Sequence, residues 1–270
     1  MVLLSAEACK EHLYNTDLSS VQIETLSLKT FKFGKDELLF VNQLDVPKSS
    51  SENIDMTLNK QNSTSIESNT DLVSGVYEGG FKIWECSYDL LSYLQDIFVS
   101  EMATPEHVID LGCGSGLPGI YCALNGANSV VYQDYNADVI NGVTMPNYMA
   151  NFRSRNDILC KPKFISGPWD TFCTSIGEFE KGFDLILTSE TIYNTSHYSC
   201  LIDIFDFSLS LNGKVLLAAK VNYFGVGGGL REFEKALDDA NKKSLKWTYK
   251  SVKVIEENVK REIIEIKRKM

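Results

Sequence analysis

The chain has 270 residues, 44% of them hydrophobic, with 26 Lys and Arg against 36 Asp and Glu for a formal net charge of −10. That length suits one full domain with an extension, and no apolar run approaches the length that spans a bilayer. The acidic balance argues against direct binding to phosphate backbones; it either attracts a basic polypeptide partner or is ordinary solubilising charge.

The start, MVLLSAEACKEHLY, has no basic leader and no convincing cleavage pattern, so a soluble intracellular protein is the default; a monomer in the cytoplasm, with the nucleus as a second compartment, is expected. LKTFKFGKDELLFVNQ reads as two short strands about a turn at Gly34, and residues 1–46 are taken as an accessory arm. PKSSSENIDMTLNKQNSTSIESNT is rich in Ser, Asn and Thr, which marks residues 47–70 as a flexible linker. From residue 71 to 270, strand and helix patterns alternate. GGFKIWECSYDLL opens an amphipathic helix, HVIDLG is a short strand, and the glycine-rich CGSGLPG leads into the helix GIYCALNG. SVVYQD is a second strand, followed by the helix ADVINGVTMPNYMANF, interrupted near Pro146. KPKFIS, FDLILTS and KVLLAAKV are further strands, with HYSCLIDIFDFSLSL a helix between the last two. LREFEKALDDANKK is amphipathic with helical spacing, and KWTYKSVKV and REIIEIKRK suit an antiparallel pair. Such alternation predicts an α/β fold with a mostly parallel, doubly wound sheet, its ligand beyond the carboxyl ends of the strands.

Seven scattered cysteines without a CxxC pair read as small buried hydrophobes, and three histidines are too few for a structural zinc site; no metal is expected. The chemistry sits at the strand ends. Asp110-Leu111-Gly112-Cys113-Gly114 gives the backbone a sharp turn and a close approach to a ligand. Asp110 beside that loop would oppose a pyrophosphate and suits a ligand bearing a sulfonium or ammonium group. Gln133-Asp134-Tyr135 ends the second strand, where Asp134 is placed to accept ribose hydroxyls. Together these favour S-adenosylmethionine over a nicotinamide dinucleotide. Trp169 in SGPWD either packs on adenine or fills the core. Trp84 and Glu85 begin a helix whose free N–H groups suit a carboxylate, Glu85 either meeting an ammonium or complementing the helix dipole.

GVYEGGFKIWECSYDLLSYL, VIDLGCGSG, YQDYN, FDLILTSETIYN and YFGVGGG, in this order, resemble the eukaryotic protein-histidine N-methyltransferase family, over roughly residues 71–270. That resemblance implies a Rossmann-like seven-stranded methyltransferase sheet with helices on both faces. It implies methylation of the distal ring nitrogen of a histidine in a large-subunit ribosomal protein. It also implies cofactor contacts from Ile83, Trp84, Glu85, Cys86 and Ser87, from Asp110 and Gly112, from Gln133, Asp134 and Tyr135, around Trp169, and at Ser189. Residues 1–70 carry no transferable motif.

For such a reaction Glu190 is expected to accept one ring N–H and to stabilise positive charge on the ring, while Tyr193 closes the pocket. Otherwise the pair forms a capping turn with an exposed tyrosine. Asn147 is a further pocket candidate, set against a plain turn residue after proline. Tyr223 and Phe224, beside a loop with four glycines, suit docking of a peptide or protein surface. The rival readings are a protein-lysine methyltransferase and a cofactor-binding chaperone of a ribosomal protein without catalysis.

Overall fold

The computed structural model describes residues 9–12, 27–42, 79–101, 104–153, 155, 159–175, 182–243 and 247–269. The expected linker, residues 47–70, lies outside them. Ten strands are described: β1 (Lys10–His12), β2 (Leu28–Phe33), β3 (Asp36–Val41), β4 (His107–Leu111), β5 (Ser129–Asp134), β6 (Lys161–Ser166), β7 (Phe183–Ser189), β8 (Leu209–Lys220), β9 (Trp247–Ile255) and β10 (Arg261–Arg268). Among the described residues, the central sheet has eight strands in the order β1-β6-β5-β4-β7-β8-β10-β9. β4 to β8 run parallel, and β10 returns antiparallel between β8 and β9. The tail therefore forms the expected hairpin pair.

The expectation of seven strands is corrected to eight. The extra strand is β1, three residues of the arm paired antiparallel with β6, Lys10 opposite Ser166 and His12 opposite Phe164. A three-residue polar strand carries no alternation to reveal it in sequence. The other arm element, the hairpin of β2 and β3, turns at Gly34 as read from the sequence.

Helices cover both faces. α1 (Glu85–Glu101) buries Cys86, Leu90, Leu94 and Ile97, which recur every three or four residues on one side. It packs with α2 (Leu117–Leu124), with the β2–β3 side chains Phe33 and Leu38, and with Val108 and Val130 of the sheet. α3 runs through Ala137–Val139, a π-turn at Ile140–Thr144 and Met145–Phe152. Its widened turn directly precedes Pro146, which has no N–H to continue a regular ladder. On the opposite face, α4 (Trp169–Ser175), α5 (Tyr198–Ser208) and α6 (Leu230–Lys243) enclose Phe172, Phe205, Phe233 and Trp247 against Ile109, Ile186 and Leu217. No helix among the described residues is long and apolar enough to cross a membrane.

After β4 the chain steps outward to β5 and β6, then returns to the other side for β7 and β8. The strand order thus reverses at β4, and a crevice opens beyond the carboxyl ends of β4, β5 and β7.

Candidate active site

A cavity of about 340 Å³ occupies that crevice. The glycine loop forms its floor. Gly112, with φ +61°, sits where an added Cβ would come 2.6 Å from Thr191 Cγ2, so both its backbone conformation and its space exclude a side chain. The loop is held by side chains rather than by its own turns. Asp134 accepts from the Gly114 N–H at 2.9 Å and from the Asn136 N–H at 3.1 Å. Thr144 on the π-turn donates to the Gly114 carbonyl at 2.7 Å. Gln133 receives the Gly112 N–H at 3.3 Å and the Trp169 indole N–H at 2.8 Å, while its amide donates to the Gly167 carbonyl at 2.8 Å.

The structure brings ten of the expected site residues to the cavity wall: Trp84, Ser87, Gly112, Gly114, Asp134, Tyr135, Trp169, Ser189, Glu190 and Tyr193. Eight others do not line it. Ile83 packs into the core between α1 and the sheet, and Cys86 is fully buried there. Gln133 is buried behind the wall and acts as the clamp just described. Glu85 is half exposed and pairs with Lys220 at 3.2 Å.

Asp110 departs from its expected contact with a cationic ligand. It is 2% exposed and accepts the Gly119 N–H of α2 at 3.0 Å, beneath the loop rather than in the cavity. Burial, opposed by that hydrogen bond and reinforced by Asp134, pushes its carboxyl up to about 8, so the neutral form dominates near pH 7 and it offers a cation little charge. Asn147 is also corrected. It is fully buried and its amide is spent on the backbone, accepting from Val41 N–H at 2.7 Å and donating to the Ser115 carbonyl at 2.9 Å. Phe224 is 87% exposed on the loop after β8, away from the wall.

Tyr223 stands behind the wall, its ring against Tyr193 with centroids 6.3 Å apart. The glycine run beside it fits a defined contact. A Cβ on Gly228 would come 2.3 Å from the Tyr193 carbonyl oxygen, and the Tyr198 hydroxyl joins the two segments, donating to Ile192 O at 2.8 Å and accepting Gly229 N–H at 2.9 Å.

Glu190 is the most unusual residue of the site. Its φ of +60° is the only positive value at a non-glycine position among the described residues, and left-handed backbone at such a residue is costly. The Glu190 N–H still donates to Ala218 O at 3.0 Å, so the chain turns only after leaving the sheet. Lys220 Nζ lies 3.4 Å from Glu190 Oε1. Burial would lower the Lys220 ammonium, but Glu190 and Glu85 override it and raise it. Burial first, then the Glu190 charge, push the Cys86 thiol and Tyr223 phenol upward. Sequence reasoning missed Lys220, although a charged residue closing the apolar run KVLLAAK was its signal. It also missed Thr191, His197 and the Gly79–Gly80 segment, which line the cavity itself.

A family model described as lysine methyltransferase matches residues 60–224, more than half of the chain. The chain belongs to this methyltransferase family. Relatives of the chain include the histidine protein methyltransferase 1 homolog of Bos taurus, 45% identical over 226 residues covering 76% of this chain and 59% of that one. The protein of the same name from Dictyostelium discoideum is 46% identical over 201 residues, 74% of this chain and 62% of the relative. The chain therefore spans only about three-fifths of the length of these relatives. Its fold also matches a magnesium protoporphyrin IX methyltransferase from Synechocystis solved with bound SAH. The TM-score is 0.51 at 13% identity, over 68% of this chain and 84% of that one.

Proposed function

We propose that the protein is an S-adenosylmethionine-dependent protein-histidine methyltransferase acting on the distal ring nitrogen of a histidine in a large-subunit ribosomal protein. The observation that carries this reading is Glu190, a carboxylate fixed by a strained turn at the wall of the cavity that the glycine loop also lines. The names of the relatives support the choice of histidine.

The cradle fits the cofactor. Gly112 and Gly114 leave backbone bare where a Cβ would intrude, Asp134 lies at the end of β5 for ribose hydroxyls, and Trp169 offers an aromatic face. When bound, S-adenosylmethionine supplies an electrophilic methyl group. The chain's own work is alignment and charge. Neutral imidazole is already nucleophilic near its unperturbed pKa of about 6.5, so no strong base is required. Glu190 accepts the proximal ring N–H, which leaves the distal nitrogen with its lone pair free and fixes the tautomer. The same carboxylate stabilises the positive charge that grows on the ring. Tyr193 on the cavity wall closes the pocket around it, backed by the Tyr223 ring.

Incubation with labelled S-adenosylmethionine and a large-subunit ribosomal protein fraction, followed by amino-acid analysis, should yield methylhistidine. Methyllysine alone, the product suggested by the description of the family model, would overturn the reading. Glu190→Gln should lower the transfer rate by about two orders of magnitude while calorimetry finds cofactor affinity retained. Normal turnover in that variant would remove Glu190 from the mechanism.

A further inference from the structure

Lys220 holds a cation just behind the wall of a site meant to accept a methyl group, against Glu190, which lines that wall. β8 is apolar and buried through Ala218 and Ala219, and Lys220 ends it with a side chain only 16% exposed. Its ammonium lies 3.2 Å from Glu85 and 3.4 Å from Glu190, and sits over the rings of Trp84 at 5.1 Å and Tyr223 at 5.7 Å. Four contacts from three separate elements fix that charge in one place.

We propose that Lys220 is a specificity-determining positioning residue that tunes the site to a neutral ring and against an acceptor bearing an ammonium. This rests on the histidine reading above. An amine acceptor arrives protonated and needs an unopposed carboxylate; here Glu190 is already paired with a resident ammonium. A second cation beside Lys220 meets like-charge repulsion in a partly desolvated cavity. A neutral imidazole meets none, and Glu190 retains lone pairs to receive its N–H.

Of the neighbouring charges, Glu85 offsets part of this effect, but it is half exposed and screened by water. On α1, Glu85 faces Lys220, Cys86 is an un-ionised thiol, and Asp89 is turned to Arg261. On β10, Arg261 lies opposite Lys220 in register but binds Asp89 and Glu257, and Lys260 binds Glu256. Tyr223 is held neutral by burial and Glu190, and Lys82 stands over the Trp84 ring at 4.4 Å.

The sign of the pH effect follows. Lys220 disfavours imidazolium, so a bound histidine loses its proton at lower pH and methylation persists further into acid. Without the ammonium, Glu190 favours imidazolium and the acid limb rises. At saturating cofactor, with the ribosomal protein fraction as substrate, Lys220→Met should move that limb up by about one pH unit. It should also raise the ratio of methyllysine to methylhistidine about tenfold. Lys220→Arg, which keeps the charge, should leave both near wild type. The ratio is internal to each preparation, so partial loss of folded enzyme does not alter it. An unmoved limb and ratio in Lys220→Met overturn the inference, as does an equal shift in Lys220→Arg. If the wild-type enzyme makes no methylhistidine, the histidine reading itself falls, and this inference with it.

Discussion

At the scale of single residues, the site combines side chains that face the cavity with others that hold it in shape. Asp110 is the clearest of the second kind. An unperturbed aspartate titrates near 3.9, whereas burial moves Asp110 to about 8, against the pull of the Gly119 N–H and with help from Asp134. Below about pH 4 both the folded and unfolded chains carry the proton, and the group costs nothing. Between about 4 and 8 the unfolded chain ionises while the folded one does not, so stability falls as pH rises; above 8 the loss is complete. The slope is on the order of 1 kcal/mol per pH unit across that window. Asp110→Asn keeps an oxygen for the Gly119 N–H and should flatten the decline. Denaturant midpoints for wild type and variant should diverge from pH 5 to pH 8, the variant gaining, and parallel curves would refute this account. Sequence could not supply it, since strand period places a side chain on a face of the sheet but does not say whether the loop above leaves it open to ligand.

Among the elements, α3 does the most to connect parts of the chain. Its π-turn aims Thr144 at the Gly114 carbonyl, and one turn later Asn147 grips Ser115 on one side and Val41 on the other. Asn151 repeats the device with Leu39, accepting its N–H at 2.9 Å and donating to its carbonyl at 2.8 Å. The two asparagines act as a surrogate strand for the open side of β3, so the arm hairpin is tied to the cofactor loop through one helix. Asn147→Ala strands a buried N–H and frees a loop carbonyl, which should cost roughly 1–3 kcal/mol. Calorimetry on the folded variant should also find weaker cofactor binding. Full affinity alongside lowered stability would separate the hairpin contact from the loop contact. The interruption at Pro146 was legible because proline removes an N–H wherever it stands. The partners of Asn147 were not, because they lie 32 and 106 positions away along the chain.

For the whole molecule, the parallel sheet and its switch point were readable because buried apolar runs and glycine turns alternate plainly in the sequence. What escaped was the edge. Without β1, strand β6 would present an unpaired row of backbone groups, a surface prone to pairing with other chains. β1 covers part of it, and its neighbours brace the loop that carries Trp169. His12 Nε2 meets Ser166 Oγ at 2.7 Å, and Cys9 Sγ donates to Pro168 O at 3.2 Å. Gly167 packs so closely that a Cβ on it would lie 2.8 Å from Cys9 Cα. A neighbouring carbonyl of that loop, Gly167 O, accepts from the Gln133 amide. A segment remote in sequence therefore supports the Trp169 side of the cradle, while Glu190 and Lys220 lie toward β7 and β8. Removing residues 1–12 takes away these few hydrogen bonds, each worth about 1 kcal/mol net. Cofactor affinity should fall by about tenfold, with little change in the acid limb of the rate profile, which belongs to the Glu190 end. The freed edge should also promote self-association, visible in sedimentation as a concentration-dependent shift absent from the full chain. If the shortened protein binds cofactor as tightly as the full chain and sediments identically, β1 is dispensable to both the cradle and the edge.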